Sequence, residues 1–185
     1  MGHIVSAAGF EVDQSKTSAL RSCRAPTNKS ELRSFLGLAN VYRRFVPDFA
    51  KKARPLTLFL KKDGPESFEL DEAQMDAFCT LKDLLCSAEV LALPKKGCRY
   101  VLDTDASGGQ VGCVLEQEQD GALRQVGYWS KTLNAAEENY STTEKEALAV
   151  VWAVRLLRTY LEREKFTVRT DHAALRWMYT TTDGN

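Results

Sequence analysis

The sequence predicts an α+β fold, and two observations carry that expectation. Segments 99–105, 111–117 and 123–130 are apolar and β-prone, and the short turns Gly108-Gly109 and Asp120-Gly121 separate them. They read as three antiparallel strands in a meander. The longest helical pattern, Glu144 to about Glu162, then leads into a fourth strand-like stretch, Phe166–Thr170, and a short helix over Ala173–Tyr179. Meander, long helix, strand and helix make a mixed sheet with a helix packed on it, preceded here by a helical region.

Along the chain, residues 3–12 read as two short strands around a Gly9 turn. Asp13–Cys23 predicts a helix with Leu20 among few apolar anchors, broken by Arg24-Ala25-Pro26-Thr27. Asn28 opens the clearest early helix. Glu31 stands at capping-box spacing, and Leu32, Phe35, Leu36, Ala39, Tyr42 and Val46 recur at helical intervals until Pro47 ends it. Arg33, Arg43 and Arg44 lie outside that stripe, Lys51, Lys52 and Arg54 follow, and Leu56–Leu60 is a further apolar helical stretch. Basic residues on and after an aromatic-bearing helix suit a surface that tracks a phosphate backbone. The plainer reading is a solvated face over an aromatic core, and pattern alone does not choose.

Gly64-Pro65 is the best boundary in the chain. Beyond it, Asp71 with Gln74 caps a helix whose Phe78, Leu81, Leu84 and Leu85 share one face, and Leu91–Gly97 is a loop turning at Pro94. In the long helix, Ala147, Val150, Val151, Val154, Leu157 and Leu161 form the expected inner stripe.

At 185 residues, 44% hydrophobic and 27% charged, the chain suits one globular domain or two small ones. No apolar run reaches the length of a membrane span and no signal peptide opens the sequence. Met1-Gly2-His3-Ile4-Val5-Ser6 fits the myristoylation pattern, yet His3-Ile4-Val5 reads better as a strand. Cys23, Cys79, Cys86, Cys98 and Cys113 form no C-x-x-C pair, which points to reduced thiols in an intracellular protein. The sequons at Asn28 and Asn139 then carry no meaning. Net charge is zero but unevenly placed. Residues 1–65 hold 12 Lys/Arg against 5 Asp/Glu, net +7, and residues 66–185 hold 13 against 20, net −7. A phosphate-gripping module beside a metal-binding module has this signature, and so does a chance imbalance between two solvated surfaces.

The acids of the second half are the residues with chemistry to offer. Asp105 and Asp171 each end a predicted strand, in the near-identical words Thr104-Asp105 and Thr170-Asp171. If those strands run parallel and adjacent, both carboxylates emerge at one sheet edge. A third acid from the first turn of the long helix would complete an oxygen-only site for magnesium or manganese. Glu144 and Glu146 both qualify, and both stand at capping-box spacing, from Ser141 and Thr143. Glu146 shares a face with Val150, Ala153 and Leu157, and Glu144 with Leu148 and Val151, so helical phase leaves the choice open. Asp103 reads as a solvent-facing strand acid, His172 as a cap of the short helix, and Trp129, Trp152 and Trp177 as core.

Leu32-Arg33-Ser34-Phe35-Leu36-Gly37-Leu38-Ala39-Asn40-Val41-Tyr42-Arg43-Arg44-Phe45 resembles the thumb-region helix in polyproteins of gypsy-type long-terminal-repeat retrotransposons. Gly2-His3-Ile4-Val5-Ser6 resembles the segment leaving the polymerase palm at the primer grip, and Ala77-Phe78 with Leu81-Lys82 the helix leading into the ribonuclease H domain. Thr104-Asp105-Ala106-Ser107, Tyr140-Ser141-Thr142-Thr143-Glu144-Lys145-Glu146 and Thr170-Asp171-His172 resemble the family's ribonuclease H motifs.

The resemblance implies a reverse transcriptase–ribonuclease H fragment with four segments: the end of the palm (1–12), a basic thumb-like region (13–65), a connecting helix and loop (66–97) and a C-terminally truncated ribonuclease H-like domain (98–185). It also implies that Asp105, Glu146 and Asp171 are catalytic ligands of two Mg2+ or Mn2+ ions, and so chooses Glu146 over Glu144. The implied reaction is hydrolysis of RNA in an RNA–DNA hybrid, with Arg33, Arg43, Arg44, Lys51, Lys52 and Arg54 holding the duplex. The implied partners are nucleic acid and the remainder of the retroelement polyprotein, with no membrane. The expected location is intracellular, cytoplasmic or within a virus-like particle, not secreted. The palm's own aspartates are absent, and the family's fourth ribonuclease H acid falls downstream of Asn185. Leu70 stands where the family usually carries Trp, read as a packing change. The alternative function is therefore a catalytically inactive, nucleic-acid-binding remnant of a retroelement.

Overall fold

The structure is a computed structural model that describes residues 3–6, 9–13, 18, 20–61 and 67–175. The chain divides into two compact units, Met1–Leu91 and Ala92–Asn185.

The first unit begins with an antiparallel hairpin of β1 (His3–Ser6) and β2 (Gly9–Val12). Phe10 and Leu91 exchange backbone hydrogen bonds of 2.7 and 2.8 Å. Only glycine permits this approach. Gly9 has φ +142°, and a Cβ there would meet the Leu91 carbonyl oxygen at 2.3 Å. Of the predicted helix over 13–23, residues 18 and 20–22 are described and helical.

Helix α1 (Lys29–Val41) starts as expected on Asn28, whose side chain accepts from the Glu31 N–H. The reciprocal half of the predicted capping box is displaced by one residue. The Glu31 carboxylate accepts instead from the backbone N–H and hydroxyl of Thr27, at 2.8 and 3.0 Å. The helix also stops at Val41, well before Pro47, and a 3-10 turn over Arg43–Phe45 follows. That tighter winding buries Tyr42, Phe45 and Val46 together, which a continued α-helix would spread round its surface. Helix α2 (Phe49–Phe59) begins earlier than predicted, so Lys51, Lys52 and Arg54 are helical residues rather than a linker. Phe49, Ala53, Leu56 and Phe59 form its buried stripe, and Pro55 lies inside it at the cost of one helical hydrogen bond. Helix α3 (Glu72–Cys86) has the predicted Asp71–Gln74 capping box, and its Phe78 meets Phe35 of α1 with ring centroids 4.6 Å apart. Gly64-Pro65 lies outside the described residues.

The second unit is the α+β part. Strands β3 (Tyr100–Ser107), β4 (Gln110–Gln119) and β5 (Ala122–Thr132) form the predicted meander. The second turn is of the twisted kind that suits a hairpin, with Asp120 and Gly121 at φ 52° and 79°. After helices α4 (Ala135–Glu138), α5 (Thr142–Leu156) and α6 (Arg158–Leu161), strand β6 (Phe166–Arg169) pairs parallel to β3, giving the order β5-β4-β3-β6.

The expected single helix to Glu162 is thus two, because Leu157 leaves the α path and a short second helix carries Leu161 into the core. The inner stripe differs too. Glu146, Ala149, Val150 and Ala153 are buried, whereas Val151 is 43% exposed. Ala149 and Ala153 are small enough to let α5 lie close on the sheet, so these weakly apolar positions face inward and a valine does not. Tyr100, Leu102, Cys113, Leu115 and Val126 from the sheet pack against Ala153, Leu157 and Leu161. Leu102, fully buried on a central strand, anchors this core. Leu102→Ala is expected to lower unfolding stability by about 3 kcal/mol in a urea melt. Burial pushes the Cys113 thiol up to about 12, an inert core group, and none of the five cysteines is bridged.

Candidate active site

The pairing of β3 with β6 sets the site. Their parallel register runs from Tyr100↔Phe166 to Asp103↔Arg169. Asp105 lies two residues further along β3, and Asp171 lies two residues past Arg169, beyond the end of β6, so both acids follow the paired segment at the same end. Asp105 is exposed near the end of β3, where the β4 residue across from it is Gly112. Asp171 follows β6 after Thr170, and its chain is turned by hydrogen bonds from the His172 N–H to Thr170 Oγ1 (3.2 Å) and from the Leu175 N–H to the His172 carbonyl (3.1 Å). His172 does more than open the short helix. Its Nε2 lies 2.9 Å from Thr143 Oγ1, which ties the exit of β6 to the first turn of α5.

That first turn separates the two glutamates. Glu144 completes a capping box with Ser141, accepting from its backbone N–H at 2.8 Å, and these bonds hold its carboxyl below the ordinary value. Glu146 is turned inward and only 5% exposed. Its Oε2 is buried with no hydrogen-bond partner. Burial, above all, raises the pKa of this carboxyl, and the negative charges of Asp105 and Asp171 add to the effect. The Ala106 N–H and the His172 side chain pull the other way.

An inward acid resisting its own charge, with two acids near enough to be felt, is an arrangement that a cation would relieve. The donor set is entirely carboxylate oxygen, the chemistry of magnesium or manganese rather than of a soft metal. Among the described residues, no three His, Cys, Asp or Glu side chains are drawn as close together as coordination requires. The fit therefore rests on the orphaned Glu146 oxygen and on the hardness of the donors.

Asp103, expected to face solvent, is instead paired. Both its carboxylate oxygens accept from Arg169, which also reaches Glu116 Oε2 of β4 at 2.6 Å. Sequence reasoning missed Arg169 and Glu116. The available signal was that Asp103 and Arg169 each lie two residues before a candidate ligand. Trp129 and Trp152 are partly buried against the core, and Trp177 lies outside the described residues.

In the first unit, Arg33 is exposed on α1, Arg43 and Arg44 occupy the 3-10 turn, and Lys51, Lys52 and Arg54 are on α2. The Arg43 guanidinium lies over the Phe49 ring, 5.5 Å from its centroid. Lys52 is committed locally, donating to the Pro47 carbonyl at 2.7 Å.

A mixed sheet in this order, helix on one face and acids at the ends of its parallel neighbours, defines a ribonuclease H-like domain. Residues 70–168 match the RNase H-like domain found in reverse transcriptase, and the chain belongs to that family. It is part of a retrotransposon Pol polyprotein, and gypsy-group relatives align along nearly all of it. The Retrovirus-related Pol polyprotein from transposon opus of Drosophila melanogaster is 40% identical over 95% of this chain and 18% of its own length. The corresponding polyprotein from transposon gypsy of the same organism is 39% identical, again over 95% of this chain and 18% of its own length. The chain thus spans less than a fifth of these curated relatives.

Among solved structures, the foamy viral protease-reverse transcriptase in complex with RNA/DNA hybrid superposes with a TM-score of 0.77 at 17% identity, over 100% of this chain and 27% of that one. A form of that protein in complex with double-stranded DNA gives 0.77 at 16%, over 99% and 35%. At that identity the likeness establishes the fold. Among the described residues, no helix is long and apolar enough to cross a membrane.

Proposed function

We propose that this chain carries the carboxylate centre of a ribonuclease H that hydrolyses RNA in RNA–DNA hybrids, with Asp105, Glu146 and Asp171 holding two Mg2+ or Mn2+ ions. The observation that supports this reading best is Glu146. It is buried, its Oε2 has no partner, and Asp105 and Asp171 raise its pKa further. When bound, the ions supply a nucleophilic hydroxide and stabilise the departing 3′ oxygen. The chain's own residues do the placing. Asp105 presents charge from β3 and Asp171 from just past its parallel neighbour β6, and Glu146 approaches from α5, where the Ala106 N–H favours its charged form. The Thr143–His172 contact holds the third acid near the other two. In the product-forming step a water oxygen bonds to phosphorus as the bond from phosphorus to the 3′ oxygen breaks; the water gives up a proton to solvent and the departing 3′ oxygen takes one up from solvent to become a hydroxyl.

Residues 1–12, 13–65, 66–97 and 98–185 take the roles of palm end, thumb, connection and ribonuclease H-like domain in this reading. Foamy viral relatives of the fold are solved with double-stranded DNA and with RNA/DNA hybrid, which supports a hybrid as partner here. Substrate choice would follow hybrid shape and 2′-hydroxyl contacts rather than base identity. The work place of such a protein is intracellular, in the cytoplasm or a virus-like particle, alongside the rest of the polyprotein.

The test is Mg2+-dependent cleavage of an RNA–DNA hybrid by the full chain, with Mn2+ uptake followed by calorimetry. Cleavage that Asp105→Asn removes supports the proposal. Hybrid binding with neither cleavage nor metal uptake would establish the inactive, nucleic-acid-binding alternative instead. For the basic residues, replacing Arg43 and Arg44 together with Ala is expected to weaken hybrid binding and to flatten its salt dependence by about 2 in log–log slope. An unchanged slope across a salt series would show that these residues do not grip phosphates.

A further inference from the structure

We propose that Arg169 is a positioning residue for the carboxylate site: it clamps β6 to β3 and β4 in the one register that delivers Asp171, just past β6, to the end of the sheet that carries Asp105. The inference rests on the metal-site reading above.

Strand β6 has four residues and is the outermost of the described strands on its side of the sheet. Arg169 is its last residue. Its guanidinium crosses β3, where Nε and Nη2 donate to both oxygens of Asp103, and Nη2 goes on to Glu116 Oε2 of β4 at 2.6 Å. Glu116 Oε1 in turn accepts from Gln125 Nε2 of β5 at 3.1 Å. One side-chain network therefore runs across all four strands.

A forked contact is specific in register. It fixes a planar guanidinium against one carboxylate in one orientation. Side chains alternate along a strand, so Asp103 shares a face with Asp105, and Arg169 is the last strand residue before the two-residue step to Asp171. Each clamp residue thus stands two residues before a candidate ligand. A slip of β6 by one residue would set Thr170 opposite Asp103 and displace Asp171 by one position along β3. It would also strip the cation from Glu116, whose side chain is only 11% exposed and needs one.

Arg169→Gln leaves Glu116 buried without its cation, so a fall in stability alone would prove nothing. The double variant Arg169→Gln/Glu116→Gln removes that charge and isolates positioning. In the full 185-residue chain, both variants are expected to lose about tenfold or more in Mn2+ affinity by calorimetry. In the cleavage assay the loss should fall on kcat, with KM for the hybrid unchanged. Amide exchange at Val168, Arg169 and Thr170 should quicken about tenfold while the β4–β5 amides stay protected. Recovery of wild-type Mn2+ affinity in the double variant would overturn the proposal, leaving Arg169 a counter-ion for Glu116. A change confined to KM would overturn it too, making Arg169 a substrate contact. Wild type that takes up no Mn2+ would instead refute the underlying metal reading. The exchange measurement still decides the clamp in that case, since unchanged β6 exchange in the double variant would refute it.

Discussion

Asp105→Asn is expected to cut hybrid cleavage by about 10³-fold, the loss equivalent to several kcal/mol of transition-state stabilisation. The replacement keeps the shape of the side chain and one of its oxygens but removes the charge. A hard divalent ion is held by charged oxygen, so the loss in Mn2+ uptake should parallel the loss in rate. Stability should change little, within about 0.5 kcal/mol, because the Asp105 side chain is exposed at the end of β3 and supports no core contact. The pairing of a large loss of rate with an unchanged melting temperature is the discriminating result. Equal rates for wild type and variant would mean that any cleavage in the preparation comes from elsewhere.

How much of this was legible beforehand depended on how local the determining physics is. The meander was readable because β-prone runs and Gly-containing turns each act over a few residues. The Asp71–Gln74 box was readable for the same reason, both halves lying in one turn of chain. Errors arose where tertiary contacts overrode pattern. The helical stretch was legible only from Leu56, yet burial of Phe49, Ala53, Leu56 and Phe59 starts α2 at Phe49 and carries it through Pro55. Val151 looked like a core residue by its hydrophobicity, yet close approach of α5 selects Ala149 and Ala153 for the sheet face.

The site shows the same division. Near-identical Thr-Asp words marked Asp105 and Asp171, but the parallel pairing that puts both at one end of the β3–β6 pair joins residues more than sixty positions apart. Helical phase could not separate Glu144 from Glu146, because each is followed by apolar residues at helical spacing. Competition for the helix cap does separate them in space: Ser141 engages Glu144, and Glu146 is turned inward. The Asp103–Arg169–Glu116 network left no more than a spacing signal in the sequence, because its three members belong to three strands.

Glu146→Gln tests that inward acid from the opposite direction, since it should abolish cleavage while making the metal-free chain more stable. In the folded state the Glu146 carboxyl has a raised pKa, chiefly through burial and then through the Asp105 charge. Its ionised form is therefore disfavoured by folding. Below the unfolded value near 4.5 the side chain is neutral in both states, and the native residue has no disadvantage against glutamine. As pH rises through the interval between the unfolded and the raised folded pKa, the unfolded chain ionises first and the wild type loses stability. Above that interval the deficit is complete. Glutamine avoids it, so Glu146→Gln should gain about 1 kcal/mol at neutral pH, shrinking to nothing at the acid end. Adding Mn2+ should reverse the order, because binding to the native state raises the wild-type melting temperature by linkage and leaves the variant unmoved. Paired thermal melts across pH, with and without Mn2+, read both effects at once. A variant less stable than wild type at neutral pH in the absence of metal would show that Glu146 is a structural acid, held by contacts that glutamine cannot make.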